Sequence, residues 1–356
     1  MENISSVERA IYEKDIIINK ILSNYNIEVY SIENIKIKET DKERAVYKIA
    51  TNKGDKCLKK VYYDEKTLLF IYSVIEWLNI KGILAPRFIS TKKGLKYVNY
   101  QGNLFILTDW IDGRKCDYDN IDDIKKISEN LAKLHKSSKG FFPIEGSKLL
   151  INDKDYFKSY NKHFKQLIEC ANLAYKIKDK FSKIFLDSFD YYLNCARESL
   201  YILSSLDFNN LGDEISNGAI CHLDYVNKNL IFTPDDKVYV IDFDKTRIDC
   251  PVHDISSFLH RILKRKKTAW DFSIFETAIN NYQNVRKLNK NEMIAIYAFL
   301  LFPKKLWKVS KDYYKNIKYC NKGQYIDELK SVVKYRQNHQ EFSLKVEEFI
   351  EKNFRG

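Results

Sequence analysis

Glycine and proline are scarce in this 356-residue chain, which contains 11 and 5 of them respectively. This composition excludes collagen-like tracts, glycine-rich linkers and a fold dominated by loops. Long apolar runs are absent as well, and the longest, Met293–Phe302, is far too short to span a membrane. Residues 1–20 carry charges throughout and lack the apolar core of a signal peptide. We therefore expect a soluble protein that is made and kept in the cytoplasm.

Paired cysteine motifs are also missing. The seven cysteines show neither a Cys-x-x-Cys spacing nor any other metal-ligand spacing. An odd, scattered set of this kind indicates free thiols in a reducing compartment. The seven are Cys57, Cys116, Cys170, Cys195, Cys221, Cys250 and Cys320.

Acidic residues are too few to balance the basic ones, and the net charge is +12. Basic residues gather at Lys264–Lys267 and Lys304–Lys308. Lys, Ile, Asn and Tyr are all abundant together, which indicates a general compositional bias, and charge runs are usually solvated faces. The alternative is a surface that binds nucleic acid or another polyanion, which requires the basic residues on one face. An anionic nucleotide or an acidic protein partner would also suit a basic surface.

The length and the apolar content predict two lobes with a sizeable core. A chain of 356 residues is too long for one ordinary core, and 25 Tyr and 21 Phe supply ample apolar mass. Periodicity predicts a small, mostly antiparallel sheet with one helix in the first third of the chain, after an opening helix. The predicted helices are 5–25 and 65–79, and the predicted strands are 27–37, 45–51, 56–63, 86–90, 96–100 and 104–110.

Helical patterns dominate after Asp112-Gly113. A compact β unit interrupts them, and helices rich in aromatic and charged residues continue from Asp254 to residue 356. The fold class is therefore α+β. The predicted helices here are 121–138, 153–179 and 181–204, and the predicted strands are 219–222, 229–233 and 238–241.

Polar residues cluster around the compact β unit. His222 and Asp224 follow its first short strand, Asn229 begins the next, and Asp242 ends the hairpin partner of that strand. A tight hairpin places the entry of one strand beside the exit of the other, so we expect Asn229 and Asp242 to be neighbours. Amide and carboxylate oxygens suit Mg²⁺.

Phosphoryl transfer needs this set of parts. A carboxylate orients the acceptor hydroxyl, and a metal held by an Asn and an Asp bridges the nucleotide phosphates. The alternative is a hairpin whose polar residues only cap and turn the chain.

The same residues resemble a known superfamily. His222-x-Asp224-x₄-Asn229, followed by Ile-Asp242-Phe-Asp, is similar to the catalytic loop and metal loop of the aminoglycoside phosphotransferases and choline kinases. The resemblance implies that Asp224 is the catalytic base, Asn229 and Asp242 the metal ligands, and His222 a scaffold residue. Leu131-Ala-Lys-Leu-His135 resembles a helix of that family, and Asp254 matches a position that caps and anchors the helix Ile255–Lys264. N-capping alone would also explain Asp254.

A narrower resemblance covers about residues 30–315. Ile220–Tyr225, Thr108–Arg114 and Leu301–Trp307 with Tyr313-Tyr314, taken in this order, look like the CotS-type spore coat proteins of endospore-forming bacteria. The resemblance implies a two-lobed, protein-kinase-like fold with lobes at 1–110 and 111–356 and a helical insert at 151–210. It also implies a protein of the mother-cell cytoplasm that is deposited in the spore coat, with other coat proteins as partners.

The nucleotide side of the resemblance rests on fewer residues. A kinase small lobe carries a phosphate-holding lysine on its third strand, paired with a glutamate of the next helix. Lys59 and Lys60 lie on opposite faces of that strand, and the family pattern favours Lys59. Glu65 is the better candidate for the glutamate, and Glu76 the lesser. The resemblance also makes Thr108–Ile111 a hinge, in which Asp109 and Ile111 would offer backbone groups to an adenine.

The turn that would cover the phosphates, 38–44, contains no glycine. Close approach of backbone amides to phosphate normally requires glycine there. The sequence therefore supports two hypotheses. One is a phosphotransferase that uses ATP or GTP with Mg²⁺ to phosphorylate a hydroxyl acceptor, either a small molecule or a coat component. The other is a structural coat protein that keeps the kinase fold with little catalysis. A nucleic-acid partner and a membrane are not expected.

Overall fold

The computed structural model describes residues 12–38, 44–152, 155–208, 211 and 219–354. The chain divides into two compact units. The first comprises the described residues up to Cys116 together with Gly140–Leu150 and Asn227–Thr246. The second comprises Asp117–Lys139, the described residues of Ile151–Val226, and those from Arg247 onward. The lobes at 1–110 and 111–356 remain a prediction.

An antiparallel sheet of five strands forms the larger part of the first unit, in the order β1-β2-β3-β5-β4. Alternation along β2 buries Ala45, Tyr47 and Ile49 on one face. These residues pack with Leu58 and Phe105 in a core cluster. The strands are β1 Val29–Lys38, β2 Arg44–Thr51, β3 Lys56–Val61, β4 Val98–Tyr100 and β5 Asn103–Asp109.

The register of the sheet decides which residues share a face with Lys59. Val46 of β2 and Ile106 of β5 are its direct partners. Side chains alternate between faces along a strand, so Arg44, two residues before Val46, belongs to the same face as Lys59. Leu58 belongs to the opposite face, in the core cluster.

Helix α2, Glu65–Ile80, agrees with its prediction and begins at a side-chain cap, in which Asp64 accepts a hydrogen bond from the Thr67 N–H. The strand predicted at 86–90 is wrong, since only Phe88 forms an isolated bridge, to Thr108. Pro86 has no N–H to donate to a ladder.

Of the predicted helix 5–25, residues before 12 lie outside the described residues. The described part is a short α1, Lys14–Ile16, continued by a π-helical turn, Ile17–Ile21, and a 3₁₀ turn, Leu22–Asn24.

A second, three-stranded antiparallel sheet of the first unit, ordered β6-β8-β9, carries the hairpin of the candidate site. Its strands are β6 Arg114–Lys115, β8 Leu230–Phe232 and β9 Val238–Val240. The sequence did not indicate β6. Gly113, just before it, lies so close to β8 that a Cβ atom would be 2.3 Å from the Phe232 carbonyl oxygen.

The second unit is mainly helical. Side-chain oxygens cap the starts of α3, α4, α5, α7, α8 and α10, and α8 has a full capping box between Asn289 and Glu292. No helix within the described residues is both long and apolar enough to cross a membrane. The helices are α3 Ile121–Lys136, α4 Tyr156–Ile177, α5 Lys180–Ser205, α6 Pro251–Leu263, α7 Phe272–Gln283, α8 Lys290–Leu301, α9 Lys304–Lys315, α10 Lys322–Val333 and α11 Arg336–Asn353.

A two-stranded antiparallel ladder in the second unit joins β7, Ala219–Cys221, to β10, Arg247–Asp249. The sequence indicated β7 but not β10. Helix α6 starts at Pro251, so Asp254 lies inside its first turn. The predicted N-cap role of Asp254 is therefore wrong. Proline at the first helical position, whose missing N–H would have no partner there, sets the start one turn earlier.

Candidate functional site

The hairpin of β8 and β9 brings Asn229 and Asp242 together in the first unit. Leu230 pairs with Val240, and the Ile241 N–H donates to the Asn229 carbonyl oxygen at 2.9 Å. Asp242 then adopts a left-handed conformation, with φ 65° and ψ 64°, which turns the chain out of the strand. Asp tolerates this conformation better than most residues because its short polar side chain can hydrogen-bond locally.

Two carboxylates of the first unit hold the Lys59 ammonium group. Nζ lies 2.7 Å from an oxygen of Asp242 and 2.7 Å from an oxygen of Asp244. Burial opposes the positive charge of Lys59, but together the carboxylates of Asp244 and Asp242 outweigh it and raise the pKa of Lys59. Lys59 is therefore protonated at neutral pH.

Asp244 contacts three side chains of the first unit, those of Lys59, Arg44 and Tyr63. Its side chain is only 4% exposed, and its second oxygen accepts from Arg44 Nη1 at 3.0 Å. The Tyr63 hydroxyl donates to its first oxygen at 3.3 Å. The Arg44 guanidinium also lies 4.4 Å from the centre of the Tyr62 ring, a cation–π distance. We call Lys59, Arg44, Asp242 and Asp244 the acidic–basic cluster.

The structure does not bring the predicted glutamates to Lys59. Glu65 is exposed at the start of α2, where its hydrogen bond and then burial raise the pKa of Tyr97 to about 12. Glu76 lies 3.8 Å from Arg87. Lys60 is buried and lies 5.5 Å from the centre of the Tyr12 ring.

The predicted hinge residues lie at the end of β5. Asp109 is largely exposed, and its carboxylate is 2.6 Å from Lys56 Nζ, its partner across the sheet. The next residue, Trp110, donates its N–H to the Asp55 carbonyl oxygen at 3.0 Å. Ile111 follows and is half-buried. Of the turn 38–44, residues 39–43 lie outside the described residues.

In the second unit, a buried carboxylate holds the loop that carries His222 and Asp224. Asp254 accepts hydrogen bonds from the N–H groups of His222, at 2.7 Å, and Leu223, at 3.0 Å. Leu223 has a φ of 57°, which is uncommon for a residue with a branched side chain. The two bonds therefore stabilise a backbone conformation that the local sequence does not favour.

Asp254 is itself fixed by His135, and both are almost fully buried. His135 Nε2 lies 3.3 Å from Asp254, and its Nδ1 lies 2.8 Å from the Tyr282 hydroxyl. Burial lowers the pKa of His135, so the ring is neutral. Burial opposes the charge of Asp254, but the hydrogen bond from His135 and the neighbouring donors outweigh it and lower the pKa of Asp254.

A metal ion is not needed to explain this buried group. Ligand atoms of His135, Cys221 and Asp254 lie within 4.8 Å of one another. The carboxylate already accepts from two backbone N–H groups, and burial raises the pKa of the Cys221 thiol well above its usual value. This chemistry favours an anchor for the loop.

The loop also ties Asp224 to His222. The Asp224 N–H donates to His222 Nδ1 at 3.2 Å, which ties the backbone to a fully buried ring. The carboxylate itself is 11% exposed and lies 3.8 Å from Arg261 Nη2. A carboxylate within hydrogen-bond distance of a bound hydroxyl group can act as its general base.

The oxygen donors of the first unit fit a divalent cation. Asn229 is buried, Asp242 is adjacent to it, and Asp244 adds a second carboxylate. Hard cations such as Mg²⁺ prefer amide and carboxylate oxygens. The ammonium group of Lys59, held by both carboxylates, is itself a cation in this acidic environment.

Sequence reasoning missed three residues that the structure places beside predicted ones. Asp244 and Arg44 join Lys59, and Arg261 approaches Asp224. The only sequence signal was the second acid of Ile-Asp-Phe-Asp, two residues after Asp242. Arg44 could be read from the sequence only as a basic residue of the turn 38–44 that offsets its acidic residues toward phosphate, and nothing indicated its pairing with Asp244. Arg261 is distant in sequence from Asp224 and carried no signal.

The chain is similar to kinase-like proteins of the spore coat. A family model described as "Spore coat putative kinase YutH" matches residues 19–346. Spore coat protein S of Bacillus subtilis (strain 168) is 22% identical over 339 residues, which cover 94% of this chain and 95% of that protein.

Solved structures show the same fold. The aminoglycoside phosphotransferase from Alicyclobacillus acidocaldarius subsp. acidocaldarius DSM 446 has a TM-score of 0.83 at 19% identity, and the match covers 98% of this chain and 100% of that one. Amicoumacin kinase hAmiN, in complex with AMP-PNP, Ca²⁺ and Ami, has a TM-score of 0.62 at 16% identity, with 93% of this chain and 94% of that one covered. The predicted α+β, kinase-like fold is confirmed. Because the family model spans most of its length, the chain belongs to the YutH family of kinase-like spore coat proteins.

Proposed function

We propose that this protein is a phosphotransferase that uses ATP or GTP with Mg²⁺ to phosphorylate a hydroxyl acceptor. The observation that carries the proposal is the acidic–basic cluster. Its lysine lies on the third strand, where kinases hold nucleotide phosphates, and contacts the carboxylate expected to bind the metal. A partly buried group of this composition suits a triphosphate and a divalent cation together.

Each residue has a defined part in the reaction. Asp224 orients the acceptor hydroxyl and takes its proton as the hydroxyl oxygen bonds to the γ-phosphorus. The bond between that phosphorus and the β–γ bridging oxygen breaks, and the nucleoside diphosphate leaves. Lys59 binds the phosphates, and the His222 ring braces the loop by accepting a hydrogen bond from the Asp224 backbone N–H.

Asn229 and Asp242 would hold the metal, which when bound neutralises charge on the nucleotide phosphates. Asp244 orients Lys59, so we assign to Asp244 the role that a helix glutamate has in other kinases. Glu65, which was predicted for that role, contacts Tyr97 instead. The backbone groups of Asp109 and Ile111 would receive the nucleobase.

A second candidate is a kinase-fold protein of the spore coat that has a structural role and little catalysis. The family description and the coat protein from Bacillus subtilis favour this location, with other coat proteins as partners. The turn 38–44, which has no glycine, favours weak nucleotide binding. A location in the spore coat is compatible with both candidates, the phosphotransferase and the structural protein.

Nucleotide binding separates the two candidates. Thermal unfolding of the wild type would be followed with millimolar ATP or GTP, with and without Mg²⁺. A ligand at a hundred times its Kd adds about 2.7 kcal/mol to the stability of the native state. We expect nucleotide to raise the Tm of the wild type only when Mg²⁺ is present, and we expect Asp242→Ala to abolish this rise. Asp235 is an exposed turn residue of the same hairpin, so Asp235→Ala is the control and should retain the rise.

Turnover provides the second measurement. Asp224→Asn should leave the nucleotide-dependent rise in Tm intact and abolish transfer to any acceptor. No rise in Tm with either nucleotide would eliminate the phosphotransferase and leave the structural candidate.

A further inference from the structure

Two basic clusters that are well separated in sequence both belong to the second unit. Arg261 and Lys264 lie at the end of α6, and Lys304, Lys305 and Lys308 lie on the first turns of α9. Crowding of Lys264 by its neighbours, and then the positive charges of Arg261, Lys305, Lys304 and Lys308, lower the pKa of Lys264 to about 8. We call these five residues the basic patch.

The basic patch reaches the proposed catalytic base. Arg261 Nη2 lies 3.8 Å from the Asp224 carboxylate, and the Arg261 side chain is half-exposed. Lys264, one turn further along α6, is exposed as well. If an acceptor places its hydroxyl group at Asp224, the acceptor groups next to that hydroxyl would therefore lie close to Arg261.

Only part of the positive charge of this region is paired with carboxylates of the described residues. Arg265 and Lys267, from the same basic run, both bind Asp119, at 2.7 and 2.5 Å. Lys305 pairs with Glu328 at 2.6 Å. No carboxylate within the described part of the chain lies at ion-pair distance from Lys264 or Lys308. Uncompensated charge of one sign beside a reactive group attracts a ligand of the opposite sign.

We propose that the acceptor carries an anionic group, a carboxylate or a phosphate, which Arg261 and Lys264 bind while the acceptor hydroxyl lies at Asp224. The inference rests on the proposed function, because it assumes that Asp224 is the base. A cationic acceptor would meet like charge at Arg261, and such repulsion discriminates against it.

Three hexoses of matched skeleton test the sign of the acceptor charge. Glucose 6-phosphate, glucose and glucosamine would be titrated by calorimetry at low ionic strength, with Mg²⁺ and saturating AMP-PNP, so that the nucleotide site is blocked. We expect glucose 6-phosphate to bind about tenfold more tightly than glucosamine. Binding of AMP-PNP, measured separately, reports on the proposed function, so the failure of either idea is distinguishable from failure of the other.

Charge removal ties the preference to the basic patch. The double substitution Lys264→Gln with Lys308→Gln should remove most of the tenfold preference, and Arg261→Gln should do so alone. Lys345→Gln, at an exposed position of α11, is the matched control and should leave it unchanged. Equal or tighter binding of glucosamine, or a preference that survives all patch variants, would overturn the proposal.

A nucleic-acid ligand is the remaining outcome. If a single-stranded oligonucleotide binds more tightly than glucose 6-phosphate, and if the patch variants abolish that binding, then the patch binds nucleic acid and the acceptor proposal is wrong.

Discussion

The Lys59 ammonium group lies 2.7 Å from a carboxylate oxygen of Asp244, a residue that Arg44 also contacts. Asp244 is nearly buried, so it can hold the lysine in one position. In the proposed function, this leaves Asp242 to be shared between the lysine and a metal ion, and the Lys59–Asp244 pair takes the place of the ion pair between a strand lysine and a helix glutamate that kinases commonly use. It explains how a chain whose Glu65 contacts Tyr97 still has a fixed lysine.

Substitution of Asp244 should therefore weaken nucleotide binding. In Asp244→Asn, Lys59 and Arg44 lose the charge that they share, and we expect the Kd for Mg²⁺-AMP-PNP to rise about tenfold, equivalent to about 1.4 kcal/mol. Calorimetry on the folded protein at low temperature measures this directly. Asp235→Asn makes the same charge change in an exposed turn of the β8–β9 hairpin and should have no effect. An unchanged Kd in Asp244→Asn would mean that Lys59 does not depend on Asp244.

Substitution of Asp254 should destabilise the second unit. In the wild type, both oxygens of Asp254 accept hydrogen bonds. The NH₂ group of an asparagine would replace one of these acceptors and would face an N–H donor that it cannot pair with. We expect Asp254→Asn to lower the free energy of unfolding by about 3 kcal/mol. Urea unfolding followed by circular dichroism checks this.

Asp271→Asn is the control for that experiment. Asp271 caps α7 by accepting from the Ser273 N–H, and Asn caps helices as well as Asp does. Equal unfolding midpoints for the two variants would contradict an anchoring role for Asp254.

Gly113 should tolerate no side chain, since a Cβ atom there would lie 2.3 Å from a backbone oxygen of β8. We expect Gly113→Ala to cost about 3 kcal/mol of stability, because the clashing atom belongs to a backbone that cannot rotate away. Gly323→Ala, at a helical position of α10, should instead stabilise by about 0.5 to 1 kcal/mol. Urea midpoints of the two variants should shift in opposite directions, and a parallel shift would contradict this account of Gly113.

Local pattern was sufficient for the elements that position the candidate site. Alternation located β2 and β3, and the apolar spacing of α2 predicted a helix within one residue of its observed end. The hairpin rule predicted that Asn229 and Asp242 are neighbours. Pro251 was a start signal for α6 that the sequence reasoning overlooked in favour of Asp254.

Long-range partners could not be read from local pattern. Asp244 reaches Lys59 because Asp242 adopts a left-handed conformation and a 3₁₀ turn, Phe243–Lys245, follows it. Neither step has a periodic signature. The effect of Lys304 and Lys308 on the pKa of Lys264 depends on how α6 and α9 are arranged in the second unit, which the two basic runs do not encode. Charge pairing at such distances is a property of the tertiary fold.

Acid should destabilise the protein through His163, whose ring packs against that of Trp307 with centres 3.8 Å apart. Burial, and then the charges of Lys304, Lys311 and Lys162, lower the pKa of His163 from 6.5 to about 4. Between these two values the unfolded chain binds the proton and the folded chain does not, so stability falls as the pH drops below about 6.5.

The substitution His163→Phe should remove this part of the pH dependence. No described residue hydrogen-bonds to Nδ1 of His163, so an apolar ring of similar shape should cost nothing at pH 7.5. At pH 5 the variant should exceed the wild type by about 1 to 2 kcal/mol, because only the wild-type unfolded chain gains this proton. Urea unfolding of both proteins at the two pH values measures the difference. Parallel loss of stability in the two proteins would show that His163 remains as easily protonated in the fold as in the unfolded chain.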